Sequence, residues 1–524
     1  MLSAEQTQLI TPSSIYVLPK LRPYQIQFIK EVYEQIRAGS KRILGVAPTG
    51  SGKTWIAAQI IQHAVSRENP VLFVVHRDTL VSQTDEKLSC FRINSGFIKA
   101  GWKENPQSLV QIASVQTLPK RDWWRQYPAK VIVIDECHIV AYASIVQQMM
   151  ACIHPQALYL GLTATPWRLS KRESLGDIFP TMVCAPMPHA LIDAGFLVKP
   201  SYYSVTLADL KRVGTAANGD FDEGQLVLAC DRPELVEQIV RDWHNLAYGR
   251  RTIAFAVNVV HSRHLAEAFS SAGIPAAHVD GTTKSTDKIY QQLENGEILV
   301  LCSCMKLVEG FDVPSVSAVL LCRPTMSRAL HFQMLSRALR LSPETEKIDA
   351  VIVDQVGSVQ RHGFVEDIRQ ITLESGSDSI EGKVNKKICP PEHGGCGAIL
   401  YAFHLKCYKC GYIFEQPKKV YLVPGLEQLL SEEDRERYEF YRHKLREAYQ
   451  KSFAPGWAAM VFKERYGHWS PDAWEIGAIF GENPTAEQQS SYYNYLAAIA
   501  RRLERSESWI QRCMESEFGF RQSA

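Results

Sequence analysis

Ile43-Leu44-Gly45-Val46-Ala47-Pro48-Thr49-Gly50-Ser51-Gly52-Lys53-Thr54 is an apolar run that empties into a glycine-bearing turn, and the residues after it, Trp55 to His63, read as a helix. Glycines let the backbone curl until successive N–H groups face one point, and the new helix adds the positive end of its dipole there. Strand, turn and helix in this order make Thr49, Gly50, Ser51, Gly52, Lys53 and Thr54 a phosphate-binding candidate. Lys53 is placed for β and γ phosphates and the Thr54 hydroxyl for Mg²⁺. The common pattern opens on glycine where this chain has Ala47, which is tolerable at negative φ.

A second apolar strand, Val131-Ile132-Val133-Ile134, runs straight into Asp135-Glu136-Cys137-His138. Alone this is a common way for a buried strand to surface. Beside the phosphate loop it assigns Asp135 to the metal, usually through water, and Glu136 to the attacking water as base. Cys137 is expected to pack and not to react.

The chain has 524 residues, of which 46% are hydrophobic and 22% charged, so several ordinary globular domains are expected and neither a disordered nor a fibrous class fits. No apolar run approaches the ~18 residues of a membrane helix, and the start of the chain lacks a basic and apolar leader. A cytoplasmic protein without a membrane partner is the expectation. The net charge of +2 excludes a basic coat, so any nucleic-acid surface must be a local groove. Most of the 13 cysteines are scattered through strands such as Leu301-Cys302-Ser303-Cys304, which suits a reducing compartment.

Working outward, β-rich runs alternate with helical stretches twice over. Ile43 to Val46, Val71 to Val75, Val131 to Ile134 and Leu158 to Leu162 form one series. Thr252 to Val257, Ala276 to Val279, Ile298 to Cys302, Ala318 to Leu321 and Ala350 to Val353 form another. This alternation predicts two tandem α/β domains with parallel sheets flanked by helices. The boundaries expected are 1–200 and 201–375, then a cysteine module at 385–418 and a helical module at 422–524. Ser201 to Ala229 reads as a connector and Glu374 to Lys387 as a linker.

In the second block, Gln333-Met334-Leu335-Ser336-Arg337-Ala338-Leu339-Arg340 spaces two arginines one helical turn apart, so one helix face would carry both. The loop Glu309-Gly310-Phe311-Asp312-Val313-Pro314 precedes them.

Together these residues resemble superfamily 2 helicases of the DEAD/DEAH type. The matching series is Arg22-Pro23-Tyr24-Gln25, the Lys53 loop, His76-Arg77 with Gln83, Asp135 to His138, Thr163-Ala164-Thr165, Gly310 with Asp312, and Gln333 to Arg340, in the family's order. The resemblance implies two RecA-like lobes of the P-loop NTPase class with ATP between them and a nucleic-acid strand across both. It implies adenine reading by Arg22 and Gln25, nucleotide contacts from Gly310 and Asp312, and arginine fingers at Arg337 and Arg340. His138, Thr163, Thr165 and Gln333 would couple ATP to lobe movement, and His76, Arg77 and Thr117 would lie near the strand backbone. Ser336 stands where the last motif usually has glycine. Leu160 to Arg168 and Arg323-Pro324-Thr325 are similar to the bacterial RadD-like and prophage group, which favours DNA over RNA and a repair, recombination or mobile-element setting.

The cysteine module pairs Cys389 and Cys396 with Cys407-Tyr408-Lys409-Cys410-Gly411. Cys-x-x-Cys-Gly is a tight thiolate knuckle, and a second pair would close a tetrahedral Zn²⁺ site of zinc-ribbon type. The first pair is loosely spaced, so His393 is held as a substitute ligand. In the tail, Ser431 is expected to cap a helix, Trp457, Phe462 and Trp469 to form a small core, and Leu496 to Trp509 an ordinary solvated amphipathic helix, the module as a whole docking a protein partner. The function expected is an ATP-dependent DNA helicase or translocase. An RNA helicase, the motor subunit of a restriction or defence complex, and an ATP-sensing binding protein without motor activity are the alternatives.

Overall fold

The computed structural model describes residues 20–414 and 432–518, apart from 77, 142, 168–173, 206, 218, 284, 309–310, 370, 372, 374–384, 471, 476, 481–483 and 504. Arg77, Arg168, Glu309, Gly310, Ser431 and most of the 374–387 linker therefore lie outside the described residues. Residues up to Ile413 form one compact unit and those from Phe414 onward another.

The first lobe is a sheet of β1 (Arg42–Val46), β2 (Val71–Val75), β3 (Ser95–Ile98), β4 (Val110–Ser114), β5 (Val131–Ile134), β6 (Leu158–Thr163) and β7 (Thr181–Cys184). Its order is β3-β4-β2-β5-β6-β1-β7, with all pairs parallel. Parallel strands are buried on both faces. Val71 and Phe73 of β2 accordingly join one core while Leu72 and Val74 join the other. Helix α1 (Pro23–Arg37), α2 (Lys53–Val65) and α3 (Asp78–Ser89) pack alongside. The order β5-β6-β1 sets the carboxyl ends that carry Asp135, Thr163 and the Lys53 loop side by side, the edge where open α/β sheets bind ligands.

The second lobe holds β8 (Lys199–Tyr203), β9 (Thr252–Phe255), β10 (Ala276–Val279), β11 (Val300–Ser303), β12 (Ala318–Leu321) and β13 (Asp349–Asp354). Their order is β10-β11-β9-β12-β13-β8, again parallel throughout. Two expectations are corrected here. The boundary drawn after Pro200 falls inside β8, because Lys199 to Tyr203 pair with Asp349 to Val353 in the second sheet. The connector from Ser201 also contains a helix, Glu223–Cys230, whose N-terminus Asp222 caps through the Gln225 amide.

A hairpin of β14 (Lys386–Ile388) and β15 (Ile399–Tyr401) follows. The second unit contains the helices Glu432–Gln450, Gly456–Tyr466, Ala486–Arg502 and Glu507–Phe518. Tyr441, Phe462 and Trp474 are buried together as its small core, while Trp469 is exposed under Lys463. The continuous helix expected over Leu496 to Trp509 is broken after Arg502, with a new helix from Glu507.

Glu517 in that unit accepts from the backbone N–H groups of Ile479 and Phe480 at 2.9 and 3.0 Å. Burial pushes its carboxyl up to about 7. Between the ordinary glutamate range near 4.3 and about 7, the folded unit keeps a proton that the unfolded chain releases. Its stability therefore falls as pH rises through this window, on the order of a few kcal/mol in all. Hydrogen exchange in Glu507–Phe518 is expected to show more protection at pH 5.5 than at pH 8, and Glu517→Gln to abolish the difference. A pH-independent wild type would refute this.

Candidate functional site

Gly50 and Gly52 have φ of +85° and +83°, in the left-handed region that other residues enter at a cost of about 1–2 kcal/mol. A Cβ on Gly52 would also meet the Gln25 amide and push it from its place on the loop. Ala47 is buried, donates to Thr163 O at 2.9 Å and is not among the positive-φ residues, so the missing first glycine costs no backbone strain. Gln25 is also buried. Its Nε2 donates to Ser51 O at 2.7 Å and its Oε1 accepts from Arg22 N at 2.8 Å. The side chain expected to read adenine is thus also the brace of the phosphate loop, helped by the Tyr24 hydroxyl, which donates to the same carbonyl at 2.7 Å. The Ser51 side chain is fully buried and not on the cavity wall.

Lys53 opens α2 and its Nζ lies 3.3 Å from Glu136 Oε1. Glu136 itself has φ +44°, a left-handed turn that swings its carboxylate back from the end of β5. Its N–H donates to Asp135 Oδ1 at 3.0 Å. Burial, and then the charge of Glu136, push the Asp135 carboxyl up to about 6. Two adjacent, largely buried carboxylates on the same cavity as a lysine and a threonine fit a divalent cation, which would reverse that upward shift. Cys137 is fully buried and its Sγ lies where a Cβ on Gly161 would meet it at 3.0 Å, so it packs as expected.

His138 joins the two lobes. Its Nδ1 lies 2.9 Å from Thr163 Oγ1 and 3.5 Å from Glu136 Oε2, while Nε2 lies 3.5 Å from Gln333 Nε2. The Thr163 hydroxyl and the Gln333 amide thus face opposite nitrogens of the His138 ring. Gln333 also donates to Thr165 Oγ1 at 3.4 Å, and Thr165 N donates to Thr163 Oγ1 at 3.1 Å. The four residues expected to couple the lobes form one hydrogen-bonded cluster.

The two arginines differ from expectation. The helix Arg328–Ser336 ends before them, where Ser336 Oγ donates to Gln333 O at 2.9 Å, and 3₁₀-type bonds carry the chain on. Arg337 is buried and donates to the carbonyls of Phe311, at 2.7 Å, and Val308. Arg340 pairs with Asp312, whose other oxygen lies 3.3 Å from Lys87 Nζ on α3 of the first lobe. Burial, then the Arg340 charge, lower the Lys87 pKa. Lys87 was missed from sequence, although it follows Gln83 by four residues and shares its helix face. A cavity of about 530 Å³ is lined by Arg22, Gln25, Thr49 and Lys53 to Trp55, with Lys87, Asp135 and Glu136, all of the first lobe, and by Phe311, Asp312, Arg337 and Arg340 of the second.

His76 and Thr117, assigned to a strand backbone, are 8% and 6% exposed. Their side chains are buried at the carboxyl ends of β2 and β4, so neither presents itself on a surface here.

Apart from this cavity, the Sγ atoms of Cys389, Cys396, Cys407 and Cys410 all lie within 4.8 Å of one another. Cys389 and Cys410 are 3.6 Å apart and Cys396 and Cys407 3.8 Å, too long for disulfides and near the ~3.8 Å edge of a tetrahedron with ~2.3 Å Zn–S bonds. The donor set fits zinc, and His393 is not part of it. Purified protein is expected to carry about one zinc per chain by atomic emission. Cys407→Ser should lose it and leave residues 385–414 open to protease, whereas a zinc content unaffected by that change would exclude the site.

Comparison with known proteins places this geometry. The family described as "Type III restriction enzyme, res subunit" matches residues 18–168, and "Helicase conserved C-terminal domain" matches 231–342. A 51.5 kDa protein of a Lactococcus phage is 29% identical over 400 residues, covering 74% of this chain and 82% of the relative. IRC3 of Saccharomyces cerevisiae, a candidate ATP-dependent helicase, is 32% identical over 66% of this chain, which spans about half of its length (52%). A fragment of a candidate HsdR subunit of a type I restriction enzyme from Vibrio vulnificus shares the fold at a TM-score of 0.53 and 21% identity, over 66% of this chain and 65% of that one. With the Lys53 loop, the Asp135-Glu136 turn and the Gln333 to Arg340 segment gathered around one interlobe cavity, the chain belongs to the DEAD/DEAH-type helicases of superfamily 2.

Proposed function

We propose that this chain is a DNA-stimulated ATPase that couples ATP hydrolysis between its lobes to movement along, or remodelling of, DNA. The observation that carries the reading is the cavity with Lys53, Asp135 and Glu136 on one wall and Arg337 and Arg340 on the other. Thr54 and Asp135 would hold Mg²⁺, which neutralises phosphate charge when bound. Glu136 accepts the proton of the attacking water, and Lys53 with the arginines meets the charge that develops on the γ phosphoryl group. In this structure Lys53 is held by Glu136, so a triphosphate that draws the lysine away also frees the carboxylate as a base. The His138 to Gln333 cluster then registers whether the lobes are together.

DNA is favoured over RNA by the restriction-enzyme family that covers the first lobe, and a phage relative supports a repair, recombination or mobile-element setting. The same family match favours, as second reading, the motor of a restriction or defence complex, with the helical unit as its docking part. Cysteines used as buried thiols, such as Cys302 and Cys322, support a cytoplasmic setting, and no described helix is long and apolar enough to cross a membrane. ATP turnover titrated with single-stranded, duplex and forked DNA and with RNA at matched salt is the test. Stimulation by DNA above RNA is expected; equal turnover without nucleic acid would overturn the motor reading.

A further inference from the structure

We propose that the aromatic face of the cysteine module is a seat for single-stranded nucleic acid, where bases stack on Phe403 and Tyr408 and Lys406 meets phosphate. The proposal rests on the reading that this chain handles nucleic acid and adds a contact surface outside the two lobes' sheets.

A series of rings runs from the second lobe's core out to solvent. Tyr202 stacks on Phe364 at 4.4 Å, Phe364 meets Tyr401 edge-on at 5.0 Å, and Tyr401 stacks on Phe403 at 5.4 Å and 9°. Phe403 then contacts His404 at 4.6 Å, and His404 contacts Tyr408 at 5.7 Å. The inner rings are anchored, since Tyr401 donates to Asp367 at 2.6 Å and the Tyr202 hydroxyl donates to Glu366 at 2.7 Å. The outer ones are open: Phe403 is 65% and Tyr408 61% exposed. A module this small cannot bury them in a core of its own, and thiolates at a metal already hold its shape. Rigid exposed rings lose little entropy when a base stacks on them.

Charge selects the occupant. Residues 385–414 contain four lysines and a single carboxylate, Glu392. Lys406 is exposed and lies between Phe403 and Tyr408 in the chain, and Lys409 lies over the Tyr408 ring at 5.6 Å while donating to Ser201. Rings interleaved with cations suit a strand with stacked bases and a charged backbone better than an apolar protein helix. The module is also fixed to one lobe. Ser204 N donates to Gly397 O at 2.8 Å, and Tyr203 bridges Ala398, both at the carboxyl end of β8. A strand seated here would move with the second lobe as the cleft opens and closes.

The full-length protein, without nucleotide, is titrated against a fluorescein-labelled 20-nucleotide oligo(dT) by anisotropy at several salt concentrations. Phe403→Ala/Tyr408→Ala is expected to weaken binding roughly tenfold or more with zinc content unchanged. Phe403→Leu/Tyr408→Leu, which keeps apolar cover without a π face, should weaken it similarly. Lys406→Ala should lower the salt slope by about 0.7. Wild-type affinity in both double variants overturns the seat, as does a loss of hydrogen-exchange protection in residues 432–518 with affinity unchanged, which would make the face a docking site for the helical unit. If wild type binds no oligonucleotide at all, it is the nucleic-acid reading itself that fails.

Discussion

Lys53→Ala is expected to reduce ATP turnover at saturating DNA by ~10²–10³-fold, and Glu136→Gln by ~10²–10⁴-fold, but for different reasons. The lysine carries charge to the phosphates, so its loss should raise KM for ATP together with the fall in kcat. Glutamine keeps the shape of Glu136 and its polar contacts while losing the capacity to take a proton. ATP binding in Glu136→Gln should therefore stay near wild type, and removal of one negative charge beside Asp135 could tighten it. The 3.3 Å contact between Lys53 and Glu136 adds a further difference. Without the lysine, Asp135 and Glu136 repel with less compensation, and the Asp135 carboxyl, already raised to about 6, should titrate higher still. In the metal-free protein the Asp135 titration should thus move upward in Lys53→Ala and downward in Glu136→Gln. Steady-state kinetics with a fluorescent ATP analogue for binding would check both, and wild-type turnover in either variant would remove the residue from the site.

What could be read from sequence follows burial. β2, β5 and β12 have the ends that their apolar runs predict, because a strand hidden on both faces needs little polar patterning, while β10, a half-buried edge strand, was found from Ala276 to Val279 all the same. β3 and β8 were missed for the opposite reason. Both are edge strands, and β8 carries Pro200, which a sheet tolerates only where an N–H is not required. β4 is an interior strand yet was missed as well, because Gln111 interrupts Val110-Gln111-Ile112; its Nε2 donates locally to the carbonyls of Asn105 and Ser108. In the site, residues contiguous with a motif could be found, since a phosphate loop or an acidic turn is local chemistry. Lys87 could not, because its meaning comes from Asp312, 225 positions away in the other lobe. The helix end at Ser336 was hidden too: a serine hydroxyl bonded to the carbonyl three residues back closes the helix without a proline or glycine to announce it.

That helix end separates the two arginines, and their replacement should show it. Arg340→Ala is expected to lower kcat by ~10³-fold with little change in thermal stability. Its guanidinium lines the cavity and pairs with Asp312, and Asp312 keeps Lys87 as partner when the arginine is gone. Arg337→Ala should reduce both quantities. The Arg337 guanidinium is buried and ties the carbonyls of Val308 and Phe311, so truncation leaves two acceptors without their donor, at roughly 1–3 kcal/mol each if they stay dry. The same loop carries Asp312, so a slackened loop would also misplace the partner of Arg340. Scanning calorimetry beside kcat distinguishes the two: a lowered melting temperature confined to Arg337→Ala is the expected pattern. Arg340→Lys should recover only part of the rate, because an ammonium supplies the charge without the planar fork. If Arg340→Ala turns over like wild type, Arg340 is not a finger, and Arg337 would be the arginine of the second lobe left on the cavity wall to meet the γ-phosphoryl charge.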